Sequence, residues 1–154
     1  MSRADELIAR LRLAPHPEGG HYAEVFRSET RVQSARGERR ALTTIDFLLQ
    51  AGERSAWHRV RSDEVWHLLD GGPLVLWLVP PALDGIERVE LDAALRRHVV
   101  GADWWQAAEP TGDYAYVGAT VGPGFEFADF DFGRDDPQLG AALGRIAPAL
   151  ARLL

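Results

Sequence analysis

Residues 52–71 read GERSAWHRVRSDEVWHLLDG, and the fold turns on this stretch. Gly52 and Gly71 bracket two short segments, 55–60 and 64–69, rich in the aromatic and β-branched residues that favour strands, with the turn RVRSD between them. Side chains alternate across a strand, so His58 and Val60 share one face. With Glu64 facing inward, Trp66 and Leu68 follow it while Val65, His67 and Leu69 face away. His67 is therefore expected at a sheet or subunit contact rather than beside Glu64. A histidine near a carboxylate in a partly apolar cavity can serve as a general base with an orienting partner, and needs no metal to do so. The alternative is that His58 only shapes a pocket.

Outward from this unit the same alternation recurs. Candidate strands lie at 21–27, 41–49, 74–79, 86–90, 97–100, 114–121 and 124–132, separated by Gly, Pro and Asp clusters. The four phenylalanines at 125, 127, 130 and 132 change parity midway, which a bulge near Ala128 and Asp129 would reconcile. Many short strands at regular spacing predict a sandwich or barrel, and roughly eight is the jelly-roll number. Short helices flank them. Residues 3–13 place Leu7, Ile8 and Leu11 at helical spacing behind Asp5 and Glu6, and 137–154 opens with Pro137 and repeats apolar residues on one face, interrupted by Gly144 and Pro148. The expectation is one domain spanning 1–154.

Composition removes several kinds of chemistry. The 154 residues include no cysteine, which excludes disulfides, thiolate metal sites and cysteine nucleophiles. All 17 basic residues are arginine, so Schiff-base chemistry on lysine is excluded too. A net charge of −6 argues against a nucleic-acid partner. The one dense basic run, RGERR at 36–40, reads as a loop tip. No apolar run approaches a membrane span, and the charged start MSRADELIAR is unlike a cleavable signal, so a cytoplasmic protein without membrane contact is expected.

The spacing from Gly52 to Gly71 resembles the first cupin motif, G-x5-H-x-H-x3-E-x6-G, with Val60 in place of the second histidine. The second cupin motif, P-x-G-x2-H, resembles the run Gly101 to Gln106, where Gln106 replaces its histidine. Four further boxes, PHPEGGHY at 15–22, TTIDFLL at 43–49, SDEVWHLLDGGPL at 62–74 and VGPGFEFADF at 121–130, resemble the uncharacterised cupin family five. That resemblance implies an all-β, RmlC-like double-stranded β-helix, or jelly roll, and a homodimer, with no reaction attached to the family as a whole. In the family the second motif reads V-P-A-G-x-W-Q, so Gly101 and Asp103 are departures of this chain at a turn. A more distant similarity links EGGHYAEVF at 18–26 to deoxysugar 3,5-epimerases, metal-free cupins with a histidine base and a tyrosine acid. Glu18 and Glu24 stand near the acidic ends of that segment, and Gly19 where the epimerases have arginine. The tyrosine acid would fall at Val121 and Gly122, with Tyr114 and Tyr116 nearby but earlier.

These observations give a cavity in which His58 removes a proton, Glu64 orients it, Gln106 bonds the substrate and Trp66 forms a wall. Arg59, Tyr116 and Glu24 are further candidates for substrate contact. Such a site suits a metal-independent isomerase or epimerase acting on a small polar or sugar-like molecule. A non-catalytic binding protein or sensor is one alternative. The other is a metal-dependent cupin whose reduced ligand set would be His58, Glu64 and Gln106, a poor set because two histidines and a carboxylate are the usual minimum for non-haem iron. His16 and His21, which bracket two glycines, read as a turn entering the first strand rather than a metal pair.

Overall fold

The computed structural model describes residues 1–154. Helix α1, Arg3–Leu11, starts where the Ser2 hydroxyl accepts from Asp5 N–H and the Asp5 carboxylate accepts from Ser2 N–H, a capping box. It ends at Arg12 in the left-handed region, two residues short of the expected 3–13. Thirteen strands follow: β1 Ala14–Pro15, β2 His21–Arg27, β3 Arg31–Ser34, β4 Gly37–Arg40, β5 Thr43–Gln50, β6 Ser55–Val60, β7 Asp63–Gly71, β8 Leu74–Val79, β9 Glu87–Leu91, β10 Arg97–Val100, β11 Trp105–Pro110, β12 Tyr114–Gly122 and β13 Phe130–Phe132. Helix α2 spans Pro137–Ile146, capped by the Asp136 side chain on Gln138 and Leu139 N–H.

The strands form an antiparallel sandwich, a jelly roll. One sheet has the order β1-β2-β5-β12-β7-β10, the other β13-β6-β11-β8-β9, and β3 and β4 make a separate hairpin. Along β5, β7 and β12 the inward residues change character from one end to the other. Phe47, Leu49, Trp66, Leu68, Ala115 and Val117 interlock with Leu74, Leu76, Leu78 and Leu91 of the facing sheet, all nearly inaccessible to water. Each such leucine contributes about 1.5–3 kcal/mol of burial. Toward the other end of the same strands stand Thr43, Ile45, Glu64, Ala119 and Val121, and there the sheets enclose a cavity.

The outer face of each sheet is covered in part. Leu7 and Ala4 of α1 bury Leu48 on the six-stranded sheet. Leu139 and Leu143 of α2, with Leu150 and Leu153 beyond it, bury Trp57, Val79 and Trp105 on the five-stranded sheet, where Trp57 Nε1–H donates to the Leu150 carbonyl at 2.9 Å. No helix is long and apolar enough to cross a membrane.

Several expectations need correction. The segment 124–132 is not one bulged strand: Phe127–Asp129 form a 3-10 turn and only Phe130–Phe132 pair with β6. RGERR is no loop tip, because Gly37–Arg40 form β4 against β3. Strand β11 was not anticipated, since WQAAEP lacks the β-branched alternation that marks a strand. The tail is not one helix; Pro148 ends α2, and Pro148–Leu153 continue as a 3-10 turn.

Candidate functional site: an acid–base cavity

His58 comes from β6 and pairs across the ladder with Gln106 on β11, while Glu64 opens β7 in the opposing sheet. The fold thus brings one residue from each of three strands toward a common point. His58 Nδ1 lies 2.7 Å from the Ala56 carbonyl, which can only accept, so Nδ1 carries a proton. Its Nε2 faces Glu18 Oε2 at 3.2 Å. The ring stacks on Phe130, 5.3 Å between centroids and 14° between planes.

Glu18 arrives from the turn between β1 and β2, and glycine geometry puts it there. Gly19 has φ +114°, and a Cβ at that position would lie 1.9 Å from the Arg54 carbonyl oxygen. Only glycine lets the turn press against β6 this closely. Glu18 then accepts from the Ser55 hydroxyl at 2.7 Å, and its carbonyl accepts from Ala56 N–H at 2.8 Å. Its own N–H donates to His16 Nδ1 at 3.0 Å.

The Glu64 carboxylate is held through a chain of donors. Trp66 Nε1–H donates to Gln106 Oε1 at 2.8 Å, and because indole only donates, the Gln106 amide nitrogen must face Glu64, donating to Oε2 at 2.7 Å. All three are buried. Burial pushes the Glu64 carboxyl up to about 7 despite the nearby His58, and it raises Glu18 as well. Burial also lowers His58 and His16, favouring the neutral form of both rings. A neutral His58 with its proton on Nδ1 leaves a lone pair on Nε2, so the 3.2 Å contact is a hydrogen bond when Glu18 holds the proton.

The cavity encloses about 120 Å³. His16, Glu18, His58 and Glu64 supply its polar wall; Ile45, Val60, Ala119, Val121 and Phe130 supply apolar surface; Glu24, Arg27, Glu126 and Phe127 stand toward solvent.

The expected site residues are only partly brought together. His58, Glu64 and Glu24 line the cavity. Gln106 and Trp66 lie behind Glu64 and support it rather than line the space. Arg59 faces out of the sandwich, stacked 4.4 Å over Trp105 and paired with Asp131 at 2.8 Å. Tyr116 is on the outer face of β12 under α1, where burial and its bond to Asp46 push the phenol up to about 12; neither residue reaches the cavity. His16 does enter it, although PHPEGG reads as a turn alone, and Glu18 stands where Glu64 was expected to orient His58. The sequence signal for Glu18 was the Glu-Gly-Gly itself, whose glycines mark a close backbone approach.

These side chains do not fit a divalent cation as they stand. His58 Nδ1 is tied to a carbonyl, the Gln106 oxygen is taken by Trp66, its amide N–H points at Glu64, and Val60 offers no donor. No group of three or more His, Cys, Asp or Glu side chains is arranged to hold a metal.

An antiparallel jelly roll with a polar cavity between its sheets, carrying His58 and Glu64 at cupin spacing, defines the molecule as a cupin. Its sequence matches the family described as Cupin superfamily (DUF985) over residues 5–133, and the chain belongs to that family, cupin family five. Two solved structures are similar along nearly their whole length. A hypothetical protein from Leishmania major is 30% identical with a TM-score of 0.82, covering 95% of this chain and 99% of its own. A protein from Shewanella oneidensis is 30% identical with a TM-score of 0.83, covering 100% and 98%. The capsular polysaccharide assembling protein CapF from Staphylococcus aureus shares the fold at 14% identity and a TM-score of 0.61, over 78% of this chain and 31% of its own. No curated protein matches the chain.

Proposed function

We propose that this cupin binds a small polar, sugar-like molecule in its cavity and isomerises or epimerises it by proton transfer between side chains, without a metal. One observation carries this reading: two acid–base systems, the Glu18–His58 pair and Glu64, line the same partly apolar space. Glu64, poised near neutral pH by burial, suits the base that removes a hydrogen α to a carbonyl. As the C–H bond breaks, its electrons pass to the carbonyl oxygen, which takes the proton held by Glu18 and His58 to give an enol. Glu64 then returns its proton to carbon while that oxygen gives its proton back to the Glu18–His58 pair and the carbonyl re-forms, so both groups end a turnover as they began. Glu18 takes over the orienting role expected of Glu64, because its oxygen is the one beside Nε2.

The test is solvent exchange. Aldoses and ketoses, with their amino and phosphate derivatives, are incubated with the protein in D2O and followed by NMR. Deuterium should appear on the carbon next to the carbonyl of at least one compound, and Glu64→Gln and His58→Ala should each slow this on the order of 10²–10⁴-fold. The rate should rise with pH through about 7 as Glu64 ionises. No exchange in any compound, or unaltered exchange in both variants, would remove the reading.

We also propose a homodimer formed by the outer face of the six-stranded sheet. Phe26, Thr44, Thr120, Val65 and Val99 stand in register across β2, β5, β12, β7 and β10, with Phe26 and Val99 half or more exposed. The neighbouring row holds Asp46, Gly118, His67 and Arg97. A two-fold axis along the strands between β12 and β7 sets Asp46 of one copy against Arg97 of the other, twice, and Thr44 against Val99. Within the chain Asp46 meets only the Tyr116 hydroxyl, at 2.9 Å, and Arg97 has no ion pair. This charge complementarity favours a second copy as the occupant.

A further inference from the structure

The charges around the cavity are unevenly matched. Glu18 and Glu64 are buried in its floor and Glu24 and Glu126 stand toward its mouth, against one guanidinium, Arg27. Arg27 is already engaged. Its Nε and Nη2 donate to the two oxygens of Glu24 at 2.7 and 3.2 Å, Nη1 donates to Glu126 at 3.4 Å, and Nη2 also meets the Phe125 carbonyl at 3.2 Å. A phosphate or carboxylate entering here would have to displace a bidentate carboxylate while lying beside a second one. The mouth therefore repels anions despite its arginine.

His16 supplies an independent indication of a ligand. Its side chain is only 7% exposed, and its Nδ1 accepts from Glu18 N–H at 3.0 Å, which puts the proton of the neutral ring on Nε2. That Nε2–H has no partner within the protein, and the ring lines the cavity. Open to the cavity and free of any protein partner, this donor is placed to bond an acceptor oxygen of a bound molecule. Beside the carboxylates, Phe125, Phe127 and Phe130 meet edge to face with centroids 5.0 to 6.1 Å apart, surface that tolerates a cation and the apolar face of a ring.

We infer that the ligand is a polyhydroxylated amine of the amino-sugar class, its ammonium toward Glu24 and Glu126 and a hydroxyl or carbonyl oxygen on His16 Nε2–H. This rests on the sugar-like reading above and names its charge. The class of reaction that supplies such a ligand is one that installs or unmasks an amine on a sugar, and phosphorylated sugars are rejected.

Calorimetric titration with glucosamine, glucose and glucose 6-phosphate at pH 7 and low salt tests the inference. Glucosamine should bind on the order of tenfold more tightly than glucose, and glucose 6-phosphate more weakly than either. Glu126→Gln should remove most of the glucosamine advantage, and His16→Ala should weaken both uncharged and cationic sugars. Glucosamine binding no better than glucose, or glucose 6-phosphate binding as well as glucosamine, overturns it. The two proposals fail separately: glucosamine preference without deuterium exchange removes the acid–base reading alone, whereas exchange on a sugar phosphate keeps that reading and removes the charge assignment.

Discussion

Glu64 holds its proton more tightly folded than unfolded, because the folded chain offers it one amide donor and little water. The sign follows from proton linkage: where the native state binds more protons than the unfolded state, stability falls as pH rises. For Glu64 that window runs from 4.5 to about 7, and above it the loss is constant. His58 and His16, lowered by burial, act oppositely, since the unfolded chain takes up protons below 6.5. Glu64→Gln copies the neutral form and keeps an oxygen for the Gln106 amide. It should be more stable than the parent at pH 8 by about 1–3 kcal/mol, with the advantage shrinking toward pH 4.5, as read by urea unfolding. An advantage independent of pH would show that Glu64 is not held in this way. His58 and Glu64 were legible because cupin spacing marks them and strand alternation sets their faces. Glu18 was not, since its position depends on a glycine turn whose geometry periodicity does not report.

The wall of phenylalanines depends on an element whose role was hidden. Asp129, in the 3-10 turn, is nearly buried and accepts from Arg39 at 2.6 and 2.8 Å, with Arg36 Nε at 3.0 Å, both arginines coming from the β3–β4 hairpin and its turn. Arg39, more than any other group, holds the Asp129 carboxyl below its ordinary range. The hairpin thereby fastens the segment that carries Phe125, Phe127 and Phe130. Asp129→Asn should leave β5 and β7 protected in amide hydrogen exchange and speed exchange across residues 125–130; equal protection in parent and variant would mean that the hairpin does not hold the wall. The hairpin was missed because charged side chains on a two-stranded ribbon leave no alternation of apolar residues to read.

Across the whole molecule, the sandwich was legible from strand spacing, and the cupin motif located two of the residues that line its cavity, His58 and Glu64. Length and charge said nothing of which part of the outer surface stays free, since that depends on where α1 and α2 dock. The free face makes a definite prediction for assembly. The parent chain should sediment as a dimer at micromolar concentration and Arg97→Asp as a monomer, while Arg97→Asp combined with Asp46→Arg should recover the dimer. A monomeric parent, or a double variant no better than the single, would reject the arrangement. The glycine turn has a consequence at this scale as well. Because Gly19 brings Glu18 to Ser55 across 37 residues of sequence, the pocket carries a fingerprint that the cupin motifs alone do not specify: Glu-Gly-Gly ahead of the second strand, and a serine three residues before the motif histidine in the sixth. Jelly rolls that share one half without the other should share the barrel but not its chemistry.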